Sequence, residues 1–211
     1  MASMLAPYGR FSRETRCKRP LYAHPEGAGS GMLPHMRALS ALVLWIAVSV
    51  PGSASPAMAG PWIQAAQAHG VDWRLMYAIA LQESGMDVEG EWAPWPWTVN
   101  SPKGPRRFKS YAEMVGYLRH LVLEVQIENV DVGWGQVNIR WQGHRTGWDV
   151  ALLADPVANA WVATQVLVDE LARTGDLERA VGRYHNPDPE RGGAYARRVM
   201  RIYKRLQSDY P

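Results

Sequence analysis

An ionisable carboxyl group stands at the end of an apolar helical run, Tyr77-Ala78-Ile79-Ala80-Leu81-Gln82-Glu83-Ser84-Gly85. Residues three and four apart share a helix face. A helix packed through Trp73, Met76, Tyr77 and Ala80 therefore carries Glu83 and Ser84, one turn on, to the edge of the core. Burial there disfavours the charged carboxylate and raises its pKa, which is what a general acid needs near neutral pH. A lone glutamate near a helix end is ordinarily a solvated surface residue. The segments that follow Glu83 decide against that here.

Ahead of this run lies a leader. Met36-Arg37 precedes an apolar stretch over 38–50, then Pro51-Gly52-Ser53 and Ala57-Met58-Ala59. One positive charge, a short apolar core and a small-x-small site read as a secretory signal peptide over 36–59, with cleavage expected after Ala59 and a periplasmic destination. The stretch is shorter than the roughly 20 residues a spanning helix needs, so no stable membrane span is expected after cleavage. Residues 1–35 are rich in Arg, Pro and Gly, lack periodicity and hold the only cysteine, Cys17. They read either as a start-site artefact, with translation beginning at Met32 or Met36, or as a long basic leader.

Removing the leader changes the charge argument. Of 23 Lys+Arg and 20 Asp+Glu, six bases and two acids fall in the first 59 residues, leaving 17 bases against 18 acids. The basic pI of the whole chain belongs to the leader and gives no ground for a nucleic-acid partner. Without cysteine, the remainder has no disulfide framework and no Cys-based metal site. His69, His120, His144 and His185 lack metal-ligand spacing, and no phosphate loop is present, so no metal and no cofactor is expected.

Residues 60–211 read as one mainly α (α+β) domain with a small β-hairpin insert. A helix over 62–69 ends at Gly70, and Asp72 caps a second that runs to about Glu83. Residues 85–108 break the helical pattern. There Val99-Asn100 and Arg107-Phe108-Lys109 flank Pro102-Lys103-Gly104-Pro105 as a hairpin. Ser110-Tyr111-Ala112-Glu113 is a capping box opening a helix striped by Met114, Tyr117, Leu118 and Leu121. A Gly-bearing loop is expected over 129–145. Asp155-Pro156 should open the longest helix, with Val157, Ala160, Trp161, Thr164, Leu167 and Leu171 inward and Gly175 at its end. Asp176 caps a helix to about Tyr184, and the last helix is expected over 194–207. Its base-only stretch from Arg191 to Arg205 suits either an acidic wall polymer or a solvated face.

Chemistry concentrates on three segments at loops and helix ends, where sites are usually built. The first is Glu83-Ser84. The second runs from Val130 through Gly133-Trp134-Gly135-Gln136-Val137-Asn138; its glycines allow close backbone approach, and its amides donate and accept. The third is Tyr184-His185-Asn186-Pro187, followed by Tyr195. A hexosamine polymer would call on such a set: one proton donor, amides for N-acetyl arms and flat rings for sugar faces.

In this order, these segments resemble the soluble-lytic-transglycosylase (SLT) domain, a lysozyme-like fold. That family typically shows Glu-Ser, Gly-Leu-Met-Gln, Tyr-Asn-Ala-Gly and a Tyr on the last helix. The resemblance spans residues 61–206. The block Pro94-Trp95-Pro96-Trp97-Thr98-Val99-Asn100 is similar to specialised transglycosylases encoded with conjugation and type IV secretion systems. Two departures stand out. Trp134-Gly135 replaces Leu-Met, and His185-Asn186-Pro187 replaces Asn-Ala-Gly, so that the amide shifts by one position or His185 takes its place.

The resemblance implies cleavage of the β-1,4 MurNAc–GlcNAc bond of peptidoglycan strands, with Glu83 as the single acid and base and a 1,6-anhydro end as product. Components of a conjugation or secretion machine are implied as partners. It places Ser84, Gln136, Asn138, Tyr184, His185, Asn186 and Tyr195 at the substrate. Simpler roles stand beside these: capping for Ser84, loop bracing for Gln136, a core ring for Tyr195, and packing rather than sugar stacking for Trp92, Trp95 and Trp97. Asp131 reads as structural, holding its loop through backbone hydrogen bonds. A hydrolytic muramidase of lysozyme type and a non-catalytic glycan-binding assembly factor are the alternatives.

Overall fold

Helix α2 (Trp73–Ser84) is buried along much of its length, with Ala78, Ile79 and Ala80 fully covered, Leu81 nearly so, and Gln82 and Glu83 partly open. A helix covered all round has to be wrapped by others. The computed structural model, which describes residues 59–211, supplies the wrapping. Helix α1 (Gly60–His69) packs on α2 through Trp62, Ala65 and Ala66, and α6 (Pro156–Thr174) packs on α1. Helix α8 (Pro189–Asp209) covers α2 with Tyr195, Ala196 and Val199, and α7 (Leu177–His185) lies between α6 and α8. The leader and its expected cleavage site lie outside the described residues, apart from Ala59, whose carbonyl accepts the first helical bond of α1 from Ile63 N–H at 2.9 Å. No helix among the described residues is long and apolar enough to cross a membrane.

The β-structure is richer than one hairpin. Strands β1 (Gly85–Val88) and β2 (Glu91–Pro94) form a two-stranded ribbon directly after α2. Strands β3 (Thr98–Ser101) and β4 (Gly104–Arg107) form the expected hairpin. Two short strands, β5 (Asp131–Val132) and β6 (Val137–Asn138), then complete an antiparallel sheet in the order β4-β3-β5-β6. The stretch 129–145 is therefore not a plain loop. It holds β5 and β6, a short helix α4 (Ile139–Gln142) and a 3-10 turn over Gly143–Thr146.

Caps fix most helix starts. Asp72, Ser110, Asp155 and Asp176 each accept a backbone N–H of their helix, from Arg74, Glu113, Ala158 and Arg179. In α3 (Tyr111–Arg119), Glu113 returns its carboxylate to Lys109 N–H at 3.0 Å rather than to Ser110 N–H, so the box closes one residue early. The helix then loosens into a π-turn over His120–Glu124, after which α5 (Val150–Ala154) leads to α6.

Three helix expectations need correction. The last helix begins at Pro189, capped by Asp188, five residues before the expected start. Gly192 and Gly193 suggested a loop, but Gly192 is helical because α7 crosses there: a Cβ on Gly192 would meet Gly182 O at 3.0 Å. This also makes α8, with 21 residues, longer than α6 with 19. In α6, Ala160, Thr164 and Leu167 face inward as expected, whereas Val157 and Trp161 are exposed and Asn159 is buried in their place. The inner stripe is rotated towards Asn159 by what that side chain holds.

Candidate functional site

A cleft of about 1250 Å³ opens where α2, the β3-β5-β6 sheet, α6 and α7 meet. Glu83, Gln136, Asn138, Tyr184 and His185 all line it. Glu83 comes from the last turn of α2 with its side chain 14% exposed. The amides come from β6 and the turn before it, and the two rings from the end of α7. Segments 50 to 100 residues apart in sequence thus converge on one carboxyl group.

The Gln136 turn is set from beneath by Asn159. This side chain is 1% exposed, donates to the carbonyls of Val132 (2.9 Å) and Leu153 (3.0 Å), and accepts from Gly135 N–H at 3.0 Å. Gly133 lies directly on it with φ at +75°, and a Cβ there would come within 2.6 Å of the Asn159 amide. Only glycine meets both demands. From the other side Tyr184 donates its hydroxyl to Gly135 O at 2.6 Å. Gln136 itself has φ at +45°, an uncommon state for a non-glycine residue. Its Nε2 donates to Gly133 O at 2.6 Å and Thr98 O at 3.3 Å, so half of its amide braces the turn while the residue lines the cleft.

Ser84 is fully buried. Its hydroxyl donates to Ala80 O (3.1 Å) and Trp134 O (2.9 Å), not to Glu83. It fastens α2 to the Gln136 segment and does not face the cleft. Trp134 completes this joint, its ring 5.3 Å from that of Trp62 and its Nε1 donating to Pro156 O. Asn186 also stands outside the cleft wall: its Oδ1 accepts Asp188 N–H at 2.9 Å in the turn before α8. Of the two residues that could have taken the amide position, His185 is the one at the cleft.

His185 Nδ1 lies 3.7 Å from Glu83 Oε1, and its ring stacks on Tyr195 at a centroid distance of 4.5 Å and an angle of 4°. Tyr195 is 1% exposed, and its hydroxyl forms no hydrogen bond of good geometry. It lies close enough to Glu83 for that carboxylate, after burial, to raise the phenol pKa well above its ordinary value. Tyr184 is raised in the same way, by burial first and then by the charges of Glu83 and Asp131. Both phenols stay protonated at any ordinary pH.

Asp131 differs in two respects from the structural role that its sequence context suggests. It lines the same cleft as Glu83, and its carboxylate is held by side chains rather than backbone: Asn138 Nδ2 at 2.8 Å and Asn100 Nδ2 at 3.3 Å. The register puts it opposite Asn100 on β3 and Asn138 on β6, so the three form a row across the sheet. Burial raises its pKa against these two amides; the charge of Glu83 raises it further and that of His185 lowers it.

Trp141 belongs to none of the three sequence segments that form the site. It is 65% exposed on the cleft rim, with Arg140 5.3 Å above its ring. Trp92, Trp95 and Trp97 are not on the cleft wall. Trp95 donates to Phe108 O and packs edge-on against Trp97, while Trp92 covers Gly85 at the ribbon. Among the described residues no group of three or more His, Cys, Asp or Glu side chains is arranged to hold a metal ion.

In comparisons with known proteins, no family model, no curated protein and no solved structure matches this chain.

Proposed function

We propose that this chain is a peptidoglycan lytic transglycosylase that cleaves the β-1,4 bond between N-acetylmuramic acid and N-acetylglucosamine. The observation that carries the reading is Glu83, largely sheltered on the wall of an open cleft and flanked there by amides and aromatic rings from distant segments. Glu83 donates its proton to the bridging oxygen as the C1–O bond breaks. As a carboxylate it then takes the proton of the muramoyl 6-hydroxyl, whose oxygen bonds to C1 and closes the 1,6-anhydro ring. The proton account balances without water, and Glu83 ends as it began. The substrate's own N-acetyl group holds the positive centre between the two halves. Acid–base catalysis by one placed group is worth about 10²–10⁴-fold.

The amides of Gln136 and Asn138 suit the N-acetyl arms, Trp141 suits a sugar face, and the Tyr184–His185 wall shapes the subsite next to Glu83. The wider setting rests on sequence: the leader supports action in the periplasm. The Pro94–Asn100 block supports local opening of the wall for an envelope-spanning conjugation or secretion machine.

Mass spectrometry of muropeptides released from purified sacculi tests the reading, since anhydro ends are lighter than reducing ends by one water. Anhydro products from the wild type and none from Glu83→Gln are expected. Undiminished cleavage by Glu83→Gln would remove Glu83 from the chemistry and leave a glycan-binding assembly factor as the better description.

A second reading, hydrolysis, is favoured by Asp131. A second carboxylate in the cleft is the partner that most glycosidases need to bind water or the glycosyl centre. In that case products carry reducing ends, and Asp131→Asn loses activity as completely as Glu83→Gln. Under the transglycosylase reading Asp131→Asn keeps most of it.

A further inference from the structure

The last helix divides the charge of the domain unevenly. Helix α8 holds six bases and two acids, which leaves eleven bases and sixteen acids for the rest of residues 60–211. Its two acids, Glu190 and Asp209, stand at the ends, and every charge between them is positive. Arg197, Arg201 and Lys204 follow at intervals of four and three, and Arg191, Arg198 and Arg205 at intervals of seven, so all six share one side of the helix. All six are exposed. The opposite side, with Tyr195, Ala196, Val199 and Leu206, is buried. Arg205 alone among the six has an ion pair, with Asp209 at 3.6 Å, and its side chain is still 85% exposed. The other five pair with no acid among the described residues.

Unpaired cations call for an anionic partner, and their layout selects its kind. The six lie along about 21 Å of one helix face rather than around a hollow, and none of them lines the cleft. A single strand or peptide is gripped by a groove. A row of exposed cations on the outside of a helix instead fits a plane of charge, where each one meets its own phosphate. No large apolar side chain of α8 is exposed, so the helix would lie on headgroups and not enter the acyl region. We propose that α8 docks the domain on an anionic phospholipid surface through this face. The acid-rich remainder is repelled by the same surface, which fixes the docked orientation and leaves the cleft open. This docking does not depend on the reaction at Glu83.

Partitioning of the full chain onto vesicles tests it, with equal parts phosphatidylglycerol and phosphatidylcholine against phosphatidylcholine alone. The leader is itself basic and apolar, so the readout is the ratio of partition coefficients between proteins that share it. Arg197→Gln/Arg201→Gln/Lys204→Gln should bind the anionic vesicles about 10²-fold more weakly than the wild type, at about fivefold for each cation near the surface. Its melting temperature should not change. Lys103→Gln/Lys109→Gln/Arg119→Gln removes as much charge from the β3–β4 turn and the two ends of α3, and should shift the ratio by less than about threefold. The α8 difference should close on phosphatidylcholine alone and at about 1 M salt, where screening acts within about 3 Å. Equal partitioning of the α8 variant and the wild type overturns the docking. So does an equal loss in both triple variants, which would reduce the effect to net charge. Weaker retention of the α8 variant on purified sacculi, with no loss on vesicles, also overturns it and gives the face to the wall polymer.

Discussion

His185 joins Glu83 to Tyr195: its Nδ1 stands 3.7 Å from the carboxylate while its ring lies flat on the phenol. That distance is too long for a hydrogen bond. Asp131 acts on the same imidazole, and the neighbouring phenols of Tyr184 and Tyr195 stay neutral. His185→Asn keeps a polar group at the cleft but removes the ring that borders Glu83 and lies on Tyr195. It should lower kcat about tenfold or less, with KM changed less than kcat. An unchanged kcat would assign the ring to packing on Tyr195 alone.

Asp131 makes a stability prediction with a definite sign. Its folded pKa lies above the ordinary value of 3.8, chiefly because it is buried. The folded state therefore binds this proton more tightly than the unfolded one, and the ionised side chain costs stability at neutral pH. The cost shrinks as pH falls through the folded pKa and is gone below the ordinary value. Asp131→Asn removes the charge and keeps one oxygen for the Asn138 amide, giving up only the longer bond from Asn100 at 3.3 Å. Its Tm should exceed that of the wild type at pH 7, with the difference closing by about pH 4. A lower Tm at pH 7 would mean that attraction to His185 outweighs the burial.

A clip between α2 and α8 gives the opposite pH behaviour. Asp72 caps α2, pairs with Arg74 at 2.9 Å and accepts the Tyr203 hydroxyl of α8 at 2.8 Å. Burial works to raise the Asp72 pKa, but these bonds outweigh it and hold the pKa below 3.8, while Tyr203 is pushed up to about 12 by burial and by Asp72. The depressed acid contributes stability above its ordinary value that is lost as pH falls through its folded pKa. The raised phenol contributes stability that is complete below pH 10 and lost towards 12. Tyr203→Phe should cost about 1 kcal/mol at neutral pH and abolish the alkaline loss, as read by chemical denaturation across pH.

Much of the helical frame could be read because its signals are local. Asp72, Asp155-Pro156 and Asp176 each sit one residue before a helix, and Gly70 and Gly175 end two of them in left-handed caps. The gathering of Glu83, Gln136, Asn138, Tyr184 and His185 followed from treating separate motifs as one set. What stayed hidden depends on contacts across the chain. Gly192 looked like a loop residue because its reason, the crossing of α7, lies ten residues away at Gly182. Trp141 gave no sign of standing at a rim, and the place of Asp131 in the cleft comes from pairing with Asn100, 31 residues distant. Ser84 follows Glu83 as the resemblance expects at the substrate, but its hydroxyl turns to the Trp134 carbonyl, a choice that only the packed joint dictates.

Asn159 is where that joint can be tested most directly. Three of its bonds reach Val132, Leu153 and Gly135, and all are buried. Asn159→Ala leaves a donor and two acceptors unsatisfied in the interior and opens a void beneath Gly133, so a loss of roughly 2–4 kcal/mol is expected from denaturant melts. The turn that carries Gln136 loses its floor, so cleavage should fall further than the folded fraction does. Asn159→Asp separates the two effects: it restores the acceptor for Gly135 N–H but puts a carboxylate against the carbonyls of Val132 and Leu153, and should be at least as damaging. A stability loss under about 1 kcal/mol in Asn159→Ala would show that Tyr184 and Ser84 fix the turn without help from below.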